Sequence, residues 1–186
     1  MVEHIFISFS VILLAVVFLA AGIAKIRSVD TLEGVVQNFR ILPARLARPF
    51  ALVLPPTELA VAAALVAPAT RTYGAIAATA LLLVFMIAIA VNLARGRREI
   101  DCGCFSSELK QSLSGWLIAR NFILMGFAVG LAVITAVPGG MSPPWAAWLL
   151  GALSVAFTIF VYLTVATLTS VATTVAQRRA AAAGNF

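Results

Sequence analysis

The chain has 186 residues, of which 62% are hydrophobic and only 11% charged, with a net charge of +6 and a mean hydropathy of +1.07. A soluble domain of this size needs a largely polar exterior, so the composition excludes an ordinary water-soluble enzyme and implies a lipid-facing surface. The positive charge sits beside apolar runs, where it reads as topology signal and lipid contact rather than as a nucleic-acid surface.

Runs of about 20 apolar residues are long enough to cross the hydrocarbon core as helices. The first is Ile5 to Ala24. It lacks a basic leader ahead of it, having Glu3 and His4 instead, so it reads as a retained helix rather than a cleaved signal. Ser28 to Arg48 is too polar to cross. Within it Val29, Leu32, Val35, Val36 and Phe39 recur at helical spacing, with Glu33, Gln37 and Arg40 largely opposite. This predicts an amphipathic helix capped by Asp30 and stopped by Pro43, lying in the membrane interface or docked on the bundle.

The second span is Phe50 to Ala69, where Pro55 and Pro56 are expected to mark the first helical turn. Tyr73 to Ala94, Trp116 to Ala136 and Trp145 to Thr169 follow. Gly126 and Gly130 make a small-residue pair suited to helix contact, as do Ala62-Ala63-Ala64 and the segment from Ala75 to Ala80. The expected fold is therefore all-α: a polytopic membrane helix bundle of about five transmembrane helices plus the amphipathic one. Residues 1–172 form one domain, and 173–186 a polar, frayed tail.

With that count, every lysine and arginine except Arg71 falls on one side of the membrane. The positive-inside rule makes that side cytoplasmic and puts the N-terminus outside. Trp116 at one boundary, and Trp145 with Trp148 at the other, sit where interfacial anchors belong.

The most informative polar segment is Arg97-Arg98-Glu99-Ile100-Asp101-Cys102-Gly103-Cys104-Phe105-Ser106. It holds the only two cysteines. Thiols one residue apart close a small, constrained ring, which glycine eases, and a strained disulfide exchanges readily. Nearby arginines favour thiolate and Asp101 opposes it. The pair suits a thiol-disulfide relay; inert thiols, or half of a metal site shared with a partner, are the alternatives. The chain alone offers no metal set, since its single histidine, His4, is far away in sequence.

Ionisable or strongly polar residues inside spans are costly and tend to face the bundle interior. Here they are Lys25, Glu58, Asn92, Arg120 and Asn121, all expected in the half of the bundle nearest the cysteine loop. Glu58 is expected to pair with Arg120, and Lys25 to snorkel to the headgroups.

Several of these residues together resemble the MauE family of methylamine-utilisation membrane proteins, which is grouped with DoxX-like membrane proteins. They are Ala21-Gly22-Ile23-Ala24-Lys25, then Asn38-Phe39-Arg40-Ile41-Leu42-Pro43, Glu58, Asp101-Cys102-Gly103-Cys104-Phe105 and Arg120-Asn121. The resemblance covers roughly residues 8–135, and Ser106 departs from it where the family pattern usually has glycine. It implies an inner-membrane protein needed to mature the disulfide-rich small subunit of methylamine dehydrogenase, a periplasmic client. It further implies a thioredoxin-like partner of the MauD type, with Cys102 and Cys104 as the exchanging pair. A non-redox scaffold and a small-molecule carrier working through Glu58 and Arg120 are the rival functions. The charge count puts the loop on the cytoplasmic side of a periplasmic task. A loop that re-enters the bundle, electron transfer to a membrane quinone, or an inverted topology would each reconcile the two.

Overall fold

The computed structural model describes residues 2–96, 115–136 and 143–160. Six helices make up almost all of them: α1 Val2–Ile26, α2 Val29–Phe39, α3 Ala44–Val66, α4 Arg71–Ala94, α5 Gly115–Ala136 and α6 Trp145–Phe160, with no strand among the described residues. Four of them (α1, α3, α4 and α5) are long and apolar enough to cross a membrane, and α6 is a shorter apolar helix. The expected continuation of α6 to Thr169 lies outside the described residues, as do Cys102, Cys104 and the tail.

The α1 stripe Ile7, Val11, Leu14, Phe18, Ala21 advances by alternating four and three residues, which keeps it on one face. That face meets Val61, Ala62 and Leu65 of α3, Ala75, Ala78 and Leu82 of α4, and Leu124, Ala128 and Leu131 of α5 in one large core. Lipid tails are as apolar as leucine, so burial alone gives these helices little reason to associate. Close packing at small residues supplies it. At Gly22 an added Cβ would lie 2.8 Å from Leu59 Cδ2 and 3.2 Å from the Pro55 carbonyl oxygen, so α1 and α3 touch there. At Gly74 a Cβ would be 2.8 Å from backbone atoms of Ala64 and Leu65, where α3 and α4 meet. Gly130 receives the Phe6 ring, whereas Gly126 faces open space, so the expected glycine pair acts at one point only. Gly151 sets α6 against the α1 backbone at Ser8 and Phe9.

Two local expectations are corrected. Asp30 does not cap α2: the cap position is Ser28, whose hydroxyl donates back to the Ala24 carbonyl at 2.9 Å, and Asp30 lies in the first turn. The Ser28 carbonyl accepts the first helical hydrogen bond of α2, from the Leu32 amide at 3.0 Å, while its hydroxyl is engaged upstream on α1. Likewise Pro55 and Pro56 do not start α3, which begins at Ala44 and runs through Pro49, Pro55 and Pro56. Each proline removes one backbone donor, which helices tolerate where neighbours pack closely, and Pro55 is buried opposite Gly22.

The long α3 runs antiparallel to α1 and α2 taken together. Its second half packs on α1, while Ala51 and Leu54 of its first half pack on Leu32, Val29 and Val36 of α2, with Leu81 and Phe85 of α4 alongside. The apolar face of α2 is thus docked on the bundle. The helix ends at Arg40, in the left-handed conformation (φ 48°), and the Arg95 side chain donates to the Arg40 carbonyl at 3.3 Å. Below this, Phe39 joins Ile89 of α4 with Leu117 and Ile118 of α5 in a small third cluster.

Candidate functional site

Between the three apolar clusters lie three of the buried polar residues, Lys25, Glu58 and Asn121. On α3, Glu58 lies between Leu54 and Val61; on α5, Asn121 lies between Leu117 and Leu124; on α4, Phe85 lies between Leu82 and Ile89. On α1, Lys25 lies one turn beyond Ala21 at the end of the buried stripe. Three helices thus interrupt their apolar faces between these clusters, and α4 sets the Phe85 ring beside them.

Here Lys25 Nζ donates to Glu58 Oε1 at 2.6 Å, with only 5% and 1% of the two residues exposed. The Phe85 ring lies against the ammonium, its centroid 5.3 Å from Nζ. The guanidinium of half-buried Arg120 acts on Lys25 through space. Glu58 Oε2 and Asn121 Nδ2 have no hydrogen-bond partner. Asn92, fully buried two turns beyond Phe85 on the same α4 stripe, donates to the Ala88 carbonyl at 3.0 Å and leaves its Oδ1 unpartnered.

Two expectations change here. Lys25 does not snorkel. Side chains tilt toward the N-terminus of their own helix, so a lysine at the C-terminal end of α1 points back into the bundle, and α2 folds beneath it. Nor does Glu58 pair with Arg120. The contact of Gly22 with Leu59 and the Pro55 carbonyl sets the α1–α3 register and brings Lys25, one turn on, against Glu58. Meanwhile α5 packs mainly on α4 and α1, and the Arg120 charge acts on Lys25 rather than on Glu58.

An ion pair in low dielectric is a poor stabilising device, because desolvation offsets most of the attraction. Removing one partner, however, strands a charge and costs about 3–5 kcal/mol. Leaving a buried donor or acceptor unpaired costs about 1–3 kcal/mol each. A layer that joins an ion pair to a bare carboxylate oxygen and a bare amide donor is costly to keep, which marks it as the chemically capable part of the described bundle.

A second buried cation behaves differently. Arg71 opens α4, and its Nε and Nη2 donate to the Leu65 and Val66 carbonyls at 3.2 Å each. Its guanidinium lies 5.5 Å from the Trp148 ring. The arginine therefore caps the negative end of α3 and pins α6, a role the charge count did not reveal. Beside it Thr72 donates to the Thr135 carbonyl at 3.0 Å, fixing α4 to α5.

Cys102 and Cys104 lie outside the described residues, in the connection from α4 to α5. Among the described residues no group of three or more His, Cys, Asp or Glu is placed to hold a metal.

Comparison with known proteins places this arrangement in context. A family model described as methylamine utilisation protein MauE matches residues 3–137. The chain is 45% identical to the methylamine utilization protein MauE of Paracoccus denitrificans over 152 residues, covering 82% of this chain and 81% of that protein. It is 46% identical over 136 residues to the protein of the same name from Methylorubrum extorquens, covering 73% and 71%. The Methylophilus methylotrophus protein of that name is 41% identical over 135 residues, covering 72% and 71%. No solved structure matches.

Proposed function

Since the chain belongs to the MauE family and so has a role in methylamine utilisation, we propose that it is an inner-membrane thiol-disulfide protein acting in the maturation of a disulfide-rich exported client. The client is the small subunit of methylamine dehydrogenase, and the exchange partner is a thioredoxin-like protein of the MauD type. Cys102 and Cys104 carry the reaction. As their S–S bond forms, two electrons and two protons leave the thiols, and the partner's disulfide takes both and opens to two thiols. Run backwards, the partner's dithiol opens the Cys102–Cys104 disulfide, so the partner is left oxidised and able to take electrons from the client's thiols in turn.

The observation that carries this reading is the sequence Asp101-Cys102-Gly103-Cys104. It holds the only thiols of the chain, one residue apart, within the segment that the family model matches. The multi-pass helical bundle supports a membrane-embedded carrier. Exposed Arg27, Arg40, Arg45, Arg48 and Arg95 all lie at the end of the bundle where α4 leads into the cysteine segment. By the positive-inside rule we assign that end to the cytoplasm and the N-terminus to the periplasm.

The test is replacement of each cysteine by serine, with trapping of a mixed disulfide between the remaining thiol and the partner. Loss of client maturation in both single variants, and a trapped adduct in one of them, is the expected result. Normal maturation in the Cys102→Ser/Cys104→Ser double variant would leave only the scaffold and small-molecule-carrier roles. Sided maleimide labelling in oriented vesicles reads the orientation at the same time.

A further inference from the structure

The Lys25–Glu58 layer is not needed to explain thiol exchange, and it holds features that a purely structural ion pair lacks. Glu58 uses one carboxylate oxygen on Lys25 and leaves the other bare, although the residue is only 1% exposed. Asn121 of α5, 4% exposed and set between the buried Leu117 and Leu124, leaves a bare N–H donor. A group that donates to Oε2 and accepts from Nδ2 would satisfy both, and a single water with one O–H turned to the carboxylate does so. Asn92 Oδ1 is a further bare acceptor, two turns beyond Phe85 on α4.

We infer that this layer is a hydrated proton-accepting site inside the membrane, with Glu58 as the group that takes the proton. Water bridges Glu58 Oε2 to Asn121 Nδ2 and delivers the proton to that oxygen. Glu58 passes from carboxylate to carboxylic acid while Lys25 stays an ammonium, and no bond other than O–H is made. The reverse step returns the proton along the same waters.

The groups that face Glu58 set its environment. From α1 these are the Lys25 ammonium, and from α5 the Arg120 guanidinium, which acts through Lys25. From α4 comes the apolar Phe85 ring that packs on Lys25, and from α2 only apolar Leu32, because Asp30 is exposed and Glu33 points toward Arg48 at the surface. Glu58 is thus the single acid of the layer among the described residues. The inference stands apart from the thiol reaction, and the two can fail independently.

The experiment is infrared difference spectroscopy of the full-length protein in lipid nanodiscs, between acidic and alkaline buffer, in water and in heavy water. A protonated-carboxyl C=O band that appears on acidification, moves in heavy water and vanishes in Glu58→Gln is expected. Asn121→Leu keeps the ion pair but removes the bridging donor, and should displace that band to higher frequency. This variant carries the test if Glu58→Gln does not fold. The Cys102→Ser/Cys104→Ser variant should keep the band. Absence of any Glu58-dependent band wherever the protein stays folded, or a band indifferent to Asn121→Leu, overturns the inference.

Discussion

Two cations are buried to the same extent in this bundle, and they are held in opposite ways. Arg71 is satisfied locally, by carbonyls five and six residues away at the end of the preceding helix and by an aromatic face. Lys25 is satisfied by a carboxylate 33 residues away on another helix, with polar atoms nearby left bare. The difference teaches how to tell scaffolding from chemistry inside lipid. A charge that closes the end of the helix just before its own needs nothing further. A charge that depends on a second element couples the two and leaves room for something else to bind.

That contrast can be broken by mutation. The largest effect is expected from Glu58→Ala or Lys25→Ala, each of which strands a buried charge and should cost about 3–5 kcal/mol in unfolding from bicelles. The double change to Met at both positions should recover most of that loss, because no charge remains. Equal damage from single and double variants would show that packing, not charge, is at stake. Next comes Gly74→Ala. Its new Cβ would meet backbone, which cannot swing aside, and the expected cost is about 1–3 kcal/mol.

Arg71→Met should cost about 1–2 kcal/mol, for a lost helix cap and its charge-assisted hydrogen bonds, and leave client maturation unchanged. Failure of maturation in a stably inserted Arg71 variant would erase the distinction between the two cations. Smallest is Thr72→Val, expected near 0.6 kcal/mol, roughly the average for polar contacts between membrane helices. A stability series in the same lipid ranks all of these together.

The sequence makes the spans legible because lipid demands long apolar runs, and α2 legible because its apolar residues keep helical spacing. Its prolines conceal the start of α3, since the rule that proline opens helices is weaker where neighbouring helices pack closely around the backbone. Lys25, Glu58, Asn92, Arg120 and Asn121 are recognisable one by one, for polar residues in apolar runs stand out. Their pairing is not. Whether Glu58 meets Lys25 or Arg120 depends on helix register, which Gly22 sets by admitting Leu59 and the Pro55 carbonyl, and no local pattern encodes that contact. Phe85 carries no sign of its place beside an ammonium beyond sharing a stripe with Ile89 and Asn92. At Cys102 and Cys104 the sequence speaks alone.

The way Arg71 is used has an electrical consequence. With its guanidinium folded onto the carbonyl end of α3, the end of the bundle that carries the exposed acid Glu3 shows no exposed lysine or arginine among the described residues. The opposite end bristles with arginines, so the molecule is polarised along its long axis. In an energised membrane each elementary charge carried across would cost or release about 2.3 kcal/mol per 100 mV. A membrane potential positive outside would favour the orientation that keeps the arginine-rich end inside.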